Sequence, residues 1–178
     1  MKIYFVRHGQ TESNERGTVT GQNDSPLTDE GIRQAQNTLK EIIDDYSEIY
    51  SADLIRCKQT AEIINQKFDL QIKFDSRLRE RDFGLLAGKK FEDIDSTGII
   101  KEKDMNQQYD YRPYGGESVE DVKERVFSFI KDIQNNKKDK KILVVTSGGI
   151  IRLLHFILKG EVHEKIHNSS IHEFEFID

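Results

Sequence analysis

Residues 142–149 read ILVVTSGG, and this stretch decides how the rest of the chain is interpreted. Its first four residues, Ile142 to Val145, are all apolar, which is typical of a central strand buried on both faces of a sheet. Gly148 and Gly149 then lead into a helix predicted over residues 150–158. A buried strand that runs directly into a helix is the building unit of α/β proteins.

The same alternation of strands and helices continues on both sides of this stretch. Apolar or alternating runs predict further strands over 2–6, 48–51, 70–74 and, at an edge, 171–177. Helical spacing predicts one helix capped by Thr28, a second ending near Phe68 and a third over 118–133, whereas residues 77–116 are rich in glycine and predict loops with short helices. We therefore predict an α/β fold of three α/β/α layers, whose mostly parallel sheet carries one antiparallel edge strand.

Length and composition restrict the class of protein. The chain has 178 residues and a formal charge of −5, which suits a single domain over 1–178 and argues against a general nucleic-acid binder. Cys57 is the only cysteine, so no internal disulfide can form. The apolar run at residues 3–6 is too short for a signal peptide or a membrane span. Together these features predict a cytoplasmic protein that does not contact membranes.

Several chemically active side chains follow the ends of the predicted strands. Arg7 and His8 follow the first strand, Arg56 comes shortly after the second, Glu80 follows the third and Gly148 follows the fourth. Taken singly, a histidine beside a strand or an arginine at a helix start is usually structural. Because the carboxyl ends of parallel strands meet at one edge of the sheet, we expect these residues to share one site.

This combination of residues suits a phosphoryl group. Arginine matches the oxygens of a phosphate, and a helix start offers free N–H groups to an anion. A neutral imidazole is a good nucleophile if a backbone acceptor fixes its tautomer, and a carboxylic acid of raised pKa can protonate a leaving oxygen. The sequence contains no common metal-ligand pattern and no P-loop, so neither a metal nor a cofactor is predicted.

Five motifs of the chain resemble those of the histidine phosphatase superfamily, whose fold is phosphoglycerate mutase-like. The resemblance covers nearly the whole chain and implies that the predicted α/β/α fold is of the phosphoglycerate mutase-like type. The motifs are VRHGQTE at 6–12 followed by Asn14, GQNDSPLTDEG at 21–31, SADLIRCKQTA at 51–61, LRERDFG at 78–84 and GGES at 115–118.

The resemblance implies a two-step reaction through a phosphohistidine. His8 would attack phosphorus, Arg7 and Arg56 would hold the phosphate oxygens, and Glu80 would protonate the leaving group and then activate water. The phosphate side of the pocket would be lined by Asn14, Thr20, Gly21, Gln22 and Gly148.

The chain departs from the family pattern at Ser147, where the family carries its second catalytic histidine. Serine is neutral and shorter, and the loss of such a transition-state donor costs about 10²–10³ in rate. His155 lies about two turns further along the helix, and His163, His167 and His172 are expected at the surface, so none of them replaces it. The resemblance thus implies a phosphatase of small phosphomonoesters that Ser147 impairs.

Two alternatives remain open. The segment at 80–84 resembles the mutase form of its motif, but the 28 residues at 89–116 are shorter than the insertion that mutases carry there. The chain could also be an inactive phospho-ligand binding protein, which only Ser147 favours. The expected partner is a small phosphorylated substrate, and the expected oligomeric state is a monomer or a homodimer. Residues 98–114 are predicted to cover the pocket. Leaving-group contacts in this segment would come from Tyr109, Tyr111, Arg112 and Tyr114.

Overall fold

The computed structural model describes residues 1–42, 45–136 and 140–176, and it confirms the predicted fold class. These residues form five strands, β1 (Lys2–Arg7), β2 (Glu48–Ser51), β3 (Ile72–Phe74), β4 (Ile142–Thr146) and β5 (Ile171–Glu175). The same described ranges contain seven α-helices, α1 (Glu12–Glu15), α2 (Asp29–Glu41), α3 (Ile55–Asn65), α4 (Phe91–Ile94), α5 (Ile99–Met105), α6 (Val119–Asn136) and α7 (Gly148–Lys159). The predicted edge strand extended to Ile177, which lies outside the described residues.

The strands form one sheet in the order β3-β2-β4-β1-β5. Only β5 runs antiparallel to its neighbour, β1. The chain moves from β1 through α2 to β2 and through α3 to β3 in one direction along the sheet, then returns through α6 to β4. Because such crossovers are right-handed, α2 and α3 cover one face, and α6 and α7 cover the other. This gives the three predicted layers.

Local sequence explains why the helices form where they do. The Thr28 hydroxyl caps α2 by accepting a hydrogen bond from the backbone N–H of Gly31 at 3.1 Å. In α6 the apolar residues recur at helical spacing and form one buried stripe, while all five residues of β4 are buried. The buried stripe of α6 consists of Val122, Val126, Phe129, Ile130 and Ile133.

The register between β1 and β4 defines where the chemistry can occur. Arg7 pairs with Thr146, and the backbone N–H of His8 donates to the carbonyl of Thr146 at 3.0 Å. His8 and Ser147, the next residues, therefore leave the sheet side by side. The connections that follow β1 and β4 pass over opposite faces of the sheet, which opens a crevice between their carboxyl ends.

The segment between β3 and α6 is irregular, as the glycine-rich sequence predicted. It contains only the short helices α4 and α5 and three 3₁₀ turns, at Ser76–Leu78, Gly84–Leu86 and Arg112–Tyr114. Across 1–42, 45–136 and 140–176, no helix has both the length and the apolar character that a bilayer span requires.

Candidate active site

A cavity of about 630 Å³ opens at the carboxyl ends of β1 and β4. Eight of the ten predicted site residues line it, and Gln22 and Ser147 do not. The eight lining residues are Arg7, His8, Asn14, Thr20, Gly21, Arg56, Glu80 and Gly148.

His8 is held as a neutral imidazole. Its Nδ1 lies 2.7 Å from the carbonyl oxygen of Gly9, which can only accept, so Nδ1 carries the proton and Nε2 keeps its lone pair. Burial lowers the pKa of His8 well below 6.5, and the charges of Arg56 and Arg7 lower it further. The side chain therefore has the protonation state of a nucleophile at neutral pH.

Four arginines line the cavity, and they carry buried donors that lack an acceptor. In particular, the Nε–H groups of Arg7, Arg56 and Arg152 have no hydrogen-bond partner among the described residues. Burial lowers the pKa of Arg7 to about 10, and the nearby charges of Arg152 and Arg56 act in the same direction. Buried donors without partners are rare in native proteins, so this concentration of them indicates a site for an anion.

Two of these arginines, Arg81 and Arg152, were not predicted as site residues. Both contact Asp104: the Nη2 group of Arg81 pairs with its carboxylate, and the Nη1 of Arg152 lies 3.2 Å from the same oxygen. Arg152 lies one turn beyond Gly148 on α7, so its position near the strand ends could have been inferred from the helix period. Arg81 directly follows Glu80, but no sequence pattern singled it out.

Arg56 differs in detail from its predicted role. Its Nη1 donates to the carbonyl of Asn23 at 2.9 Å, and its Nη2 donates to the carbonyl of Gly21 at 2.6 Å. Two of its nitrogens therefore hold the loop that carries Gly21, and the unpartnered Nε–H remains for a ligand.

The Glu80 carboxylate is fixed at the start of α7. One oxygen accepts from the backbone N–H of Arg81 at 2.9 Å, and the other accepts from the backbone N–H of Gly149 at 3.0 Å. Burial alone would raise the pKa of Glu80, but Arg81, these two N–H groups and Arg56 lower it overall. The pKa of Glu80 therefore lies below its ordinary value, which favours the carboxylate form at neutral pH.

Gly149 is required by this arrangement, and replacing it should reduce activity. A Cβ at residue 149 would lie 2.1 Å from Oε1 of Glu80, so Gly149→Ala must displace the carboxylate. We expect kcat for an aryl phosphate to fall by about 10²-fold, the lower end of what a general acid-base group contributes. In a Glu80→Ala background the same substitution should have no further effect. An unchanged kcat in the single variant would contradict the role of Glu80.

Ser147 lies at the end of β4, as predicted, but behind the wall of the cavity. It is fully buried, and its hydroxyl makes no hydrogen bond of standard geometry with any described residue. The Cys57 thiol is its neighbour: burial raises the pKa of Cys57 to about 11, and the Ser147 hydroxyl opposes this increase. Gln22 is likewise set back from the cavity, donating from Nε2 to the carbonyl of Glu80 at 3.2 Å.

The segment before β5 completes the wall, which no sequence signal had indicated. The Nδ2 of Asn168 donates to the carbonyl of His8 at 3.1 Å and lies 3.3 Å from Oδ1 of Asn14. The Nη1 of Arg7 donates to the carbonyl of Ile166. Both Ile166 and Asn168 line the cavity. These contacts connect the nucleophile and the first arginine to a loop far away in sequence.

For the covering segment, residues 98–114, the prediction of which side chains contact a leaving group is wrong. Helix α5 contributes Lys101, Asp104 and Met105 to the cavity, but none of the four predicted leaving-group residues lines it. Tyr109 and Tyr111 are buried and stacked on each other, Tyr114 is exposed, and Arg112 pairs with Asp110.

Comparisons with known proteins agree with this geometry. The family model described as Histidine phosphatase superfamily (branch 1) matches residues 3–178. The chain belongs to the histidine phosphatase superfamily. A curated relative, the probable phosphoglycerate mutase GpmB of Salmonella paratyphi A, is 32% identical over 184 residues, which cover 99% of this chain and 85% of the relative.

Solved structures show the same superfamily fold. A phosphoglycerate mutase from Thermus thermophilus is 31% identical, with a TM-score of 0.82, covering 99% of this chain and 94% of that one. A mycobacterial glucosyl-3-phosphoglycerate phosphatase in complex with VO3 is 26% identical, with a TM-score of 0.85, covering 97% of this chain and 91% of that one. Members named as phosphatases and as mutases thus share this architecture.

Proposed function

We propose that this protein is a metal-independent phosphatase that hydrolyses small phosphomonoesters through a phosphohistidine on His8. One observation carries the proposal: a neutral imidazole with an unprotonated Nε2 lines a cavity where buried donors of Arg7, Arg56 and Arg152 lack acceptors among the described residues. The phosphatase name of a structural neighbour with a TM-score of 0.85 supports the same reaction class.

The first step would transfer the phosphoryl group to His8. Nε2 attacks phosphorus, a P–N bond forms, and the ester P–O bond breaks with its electron pair on the leaving oxygen. When substrate binds, Glu80 takes up a proton from solvent, because like-charge repulsion from the phosphate dianion raises its pKa, and it then gives this proton to the leaving oxygen. Arg7, Arg56 and Arg152 would stabilise the charge on the transferring oxygens.

The second step would return the enzyme to its starting state. The Glu80 carboxylate accepts a proton from a water molecule that attacks phosphorus from the side that the leaving group has vacated. The P–N bond breaks, inorganic phosphate forms, and His8 is again neutral with its Nδ1–H on the carbonyl of Gly9. Glu80 returns its proton to solvent as phosphate leaves. Ser147 supplies no cationic donor beside His8, so we expect slow turnover.

Hydrolysis of an aryl phosphate in the presence of a chelator tests the proposal directly. We expect steady release of inorganic phosphate that the chelator does not reduce. Loss of activity with chelator, in wild type and in a Glu161→Gln control, would overturn metal independence. No release under any condition would favour a binding protein.

A phosphoglycerate mutase is the second candidate, because the curated relative of 32% identity carries that name. The short segment at 89–116 argues against it. Incubation with 3-phosphoglycerate separates the two functions: a phosphatase releases phosphate, whereas a mutase interconverts the two phosphoglycerates without net release.

Inorganic phosphate should stabilise the folded protein. A ligand that binds only the native state at 100 times its Kd adds about 2.7 kcal/mol, which a rise in Tm would report. Arg152→Met should weaken binding by about 10-fold, because a hydrogen bond to a charged group contributes about 1.5–3 kcal/mol. Arg112→Met is the matched control, since Arg112 is exposed and does not line the cavity. A Tm independent of phosphate would contradict the anion site.

A further inference from the structure

A second group of chemically active side chains lies at the far end of α7, and none of its members lines the cavity. His155 is 6% exposed, His163 and His172 are half-buried, and Glu161 is exposed. His163 and His172 thus lie at the surface, as predicted, but both are partly buried against His155. Gly160, with a φ of +66°, ends α7 in the left-handed conformation that turns Glu161 and His163 back over His155.

A chain of hydrogen bonds fixes the tautomers in this group. The Ser170 hydroxyl donates to the carbonyl of His167 at 2.6 Å, so its oxygen must accept from Nε2–H of His172 at 2.8 Å. Nδ1 of a neutral His172 is then an acceptor, and it receives Nε2–H of His155 at 2.9 Å. A neutral His155 consequently has no proton on Nδ1.

That unprotonated nitrogen faces a carboxylate. Nδ1 of His155 lies 2.7 Å from Oε2 of Glu161, and Nε2 of His163 lies 3.2 Å from the same oxygen. Two acceptors at such a distance repel each other unless a cation lies between them. A proton can bridge the pair of His155 and Glu161, and a neutral His163 can donate its Nε2–H to the same oxygen, whereas a metal ion would bind all three ligand atoms, which lie within 4.8 Å of one another.

We propose that His155, Glu161 and His163 form a binding site for a divalent transition-metal ion, with Zn²⁺ as the best match. Two imidazole nitrogens and one carboxylate oxygen are a common zinc ligand set, and a water molecule would complete the tetrahedron. Bonds of about 2.0–2.1 Å require ligand atoms about 3.3 Å apart, so the present spacing needs only small movements.

The surroundings match what metal-bound histidines require. A ligating histidine donates its other ring N–H to a fixed acceptor, which sets the tautomer, and His172 provides that acceptor for His155. The nearby Lys159 opposes a cation by its charge, but its ammonium group lies over the Phe174 ring, 5.0 Å from the centroid. Two neutral imidazoles and one carboxylate would leave the Zn²⁺ complex with a positive charge, which water can solvate because Glu161 is exposed.

The proposed metal site lies directly before the segment that forms one wall of the cavity. Ile166, whose carbonyl accepts from Arg7, comes three residues after His163, and Asn168 follows shortly after. An ion on His163 would anchor the start of the segment that forms one wall of the cavity. Metal binding would then restrain the wall without taking part in the chemistry.

A calorimetric titration of the full chain with Zn²⁺ tests the proposal. The absorption spectrum of the Co²⁺ complex reports the coordination geometry. We expect one ion per chain, with a tetrahedral Co²⁺ spectrum that lacks a thiolate band from Cys57. Glu161→Gln and His163→Asn should each weaken binding by at least about 10-fold, and His172→Asn by about 10-fold through the outer hydrogen bond. His167→Asn, whose side chain is outside the group, should bind like wild type.

These variants change exposed or half-buried side chains, so circular dichroism should show an intact fold. Absence of stoichiometric Zn²⁺ binding to wild type would overturn the proposal and leave a proton as the bridging cation. Unchanged affinity in both Glu161→Gln and His163→Asn would overturn it equally. Because binding is measured without substrate, the result does not depend on the proposed phosphatase activity.

Discussion

Replacing His8 with alanine is expected to lower turnover of an aryl phosphate by about 10⁴-fold or more, because it removes the covalent step itself. Among the described residues that line the cavity, His8 is the only histidine, and none is a cysteine or serine. The substitution deletes a buried ring, so folding must be checked by the Tm and by phosphate binding. Both should persist, since the arginines remain.

Trapping of the intermediate makes this prediction specific. Wild-type protein quenched in alkali after mixing with labelled substrate should carry label that is stable to base and labile to acid, as a phosphohistidine is. His8→Ala should carry none. Label on the His8→Ala chain, or full activity of that variant, would rule out His8 as the nucleophile.

Ser147→His is expected to act in the opposite direction and raise turnover by about 10²-fold. Residue 147 leaves β4 beside His8, and the longer histidine side chain would extend past the cavity wall and add a ring N–H donor next to the attacking group. The serine hydroxyl makes no standard hydrogen bond with a described residue, so its removal loses little. The larger ring enters a fully buried position and should cost about 1–3 kcal/mol of stability, measurable by urea unfolding.

A double-mutant cycle shows whether the two positions serve one transition state. In the His8→Ala background, Ser147→His should change initial rates at saturating substrate hardly at all. If Ser147→His leaves the rate of the otherwise native chain unchanged, serine is a working substitute and the protein is not impaired. Ser147→Ala is the matched control, because it tests whether the hydroxyl itself contributes.

The sequence predicted those parts of the site that follow regular elements. Arg7 ends β1, His8 directly follows it, and Gly148 begins the helix after β4, and parallel pairing brings such positions to one edge of the sheet. Ile166 and Asn168 were missed, because an irregular segment has no periodicity that reveals which side chains turn inward. The lowered pKa of Glu80 was missed for another reason: it depends on N–H groups of Arg81 and Gly149 whose directions only the folded backbone sets.

The tyrosines of the covering segment show the limit of interpreting loops from composition. Aromatic residues near a pocket suggest ligand contacts, but Tyr111 instead donates its hydroxyl to Asp104 at 2.8 Å. That carboxylate also neutralises Arg81 and Arg152, so it links the covering segment to the cavity charge. Such a three-way contact involves residues far apart in sequence and has no local signature.

The carboxylate at the start of α7 has a consequence for product release. The Glu80 carboxylate accepts from the backbone N–H of Gly149, so the cavity contains an anion of its own. An arriving phosphate meets arginines whose field is partly neutralised, and the Glu80 carboxylate repels it until Glu80 takes up a proton. Tight storage of inorganic phosphate is thereby discouraged, and the departing product is exchanged readily for the next ester. In a protein of the proposed function, the residue that handles the proton would also keep the site from being blocked by its own product.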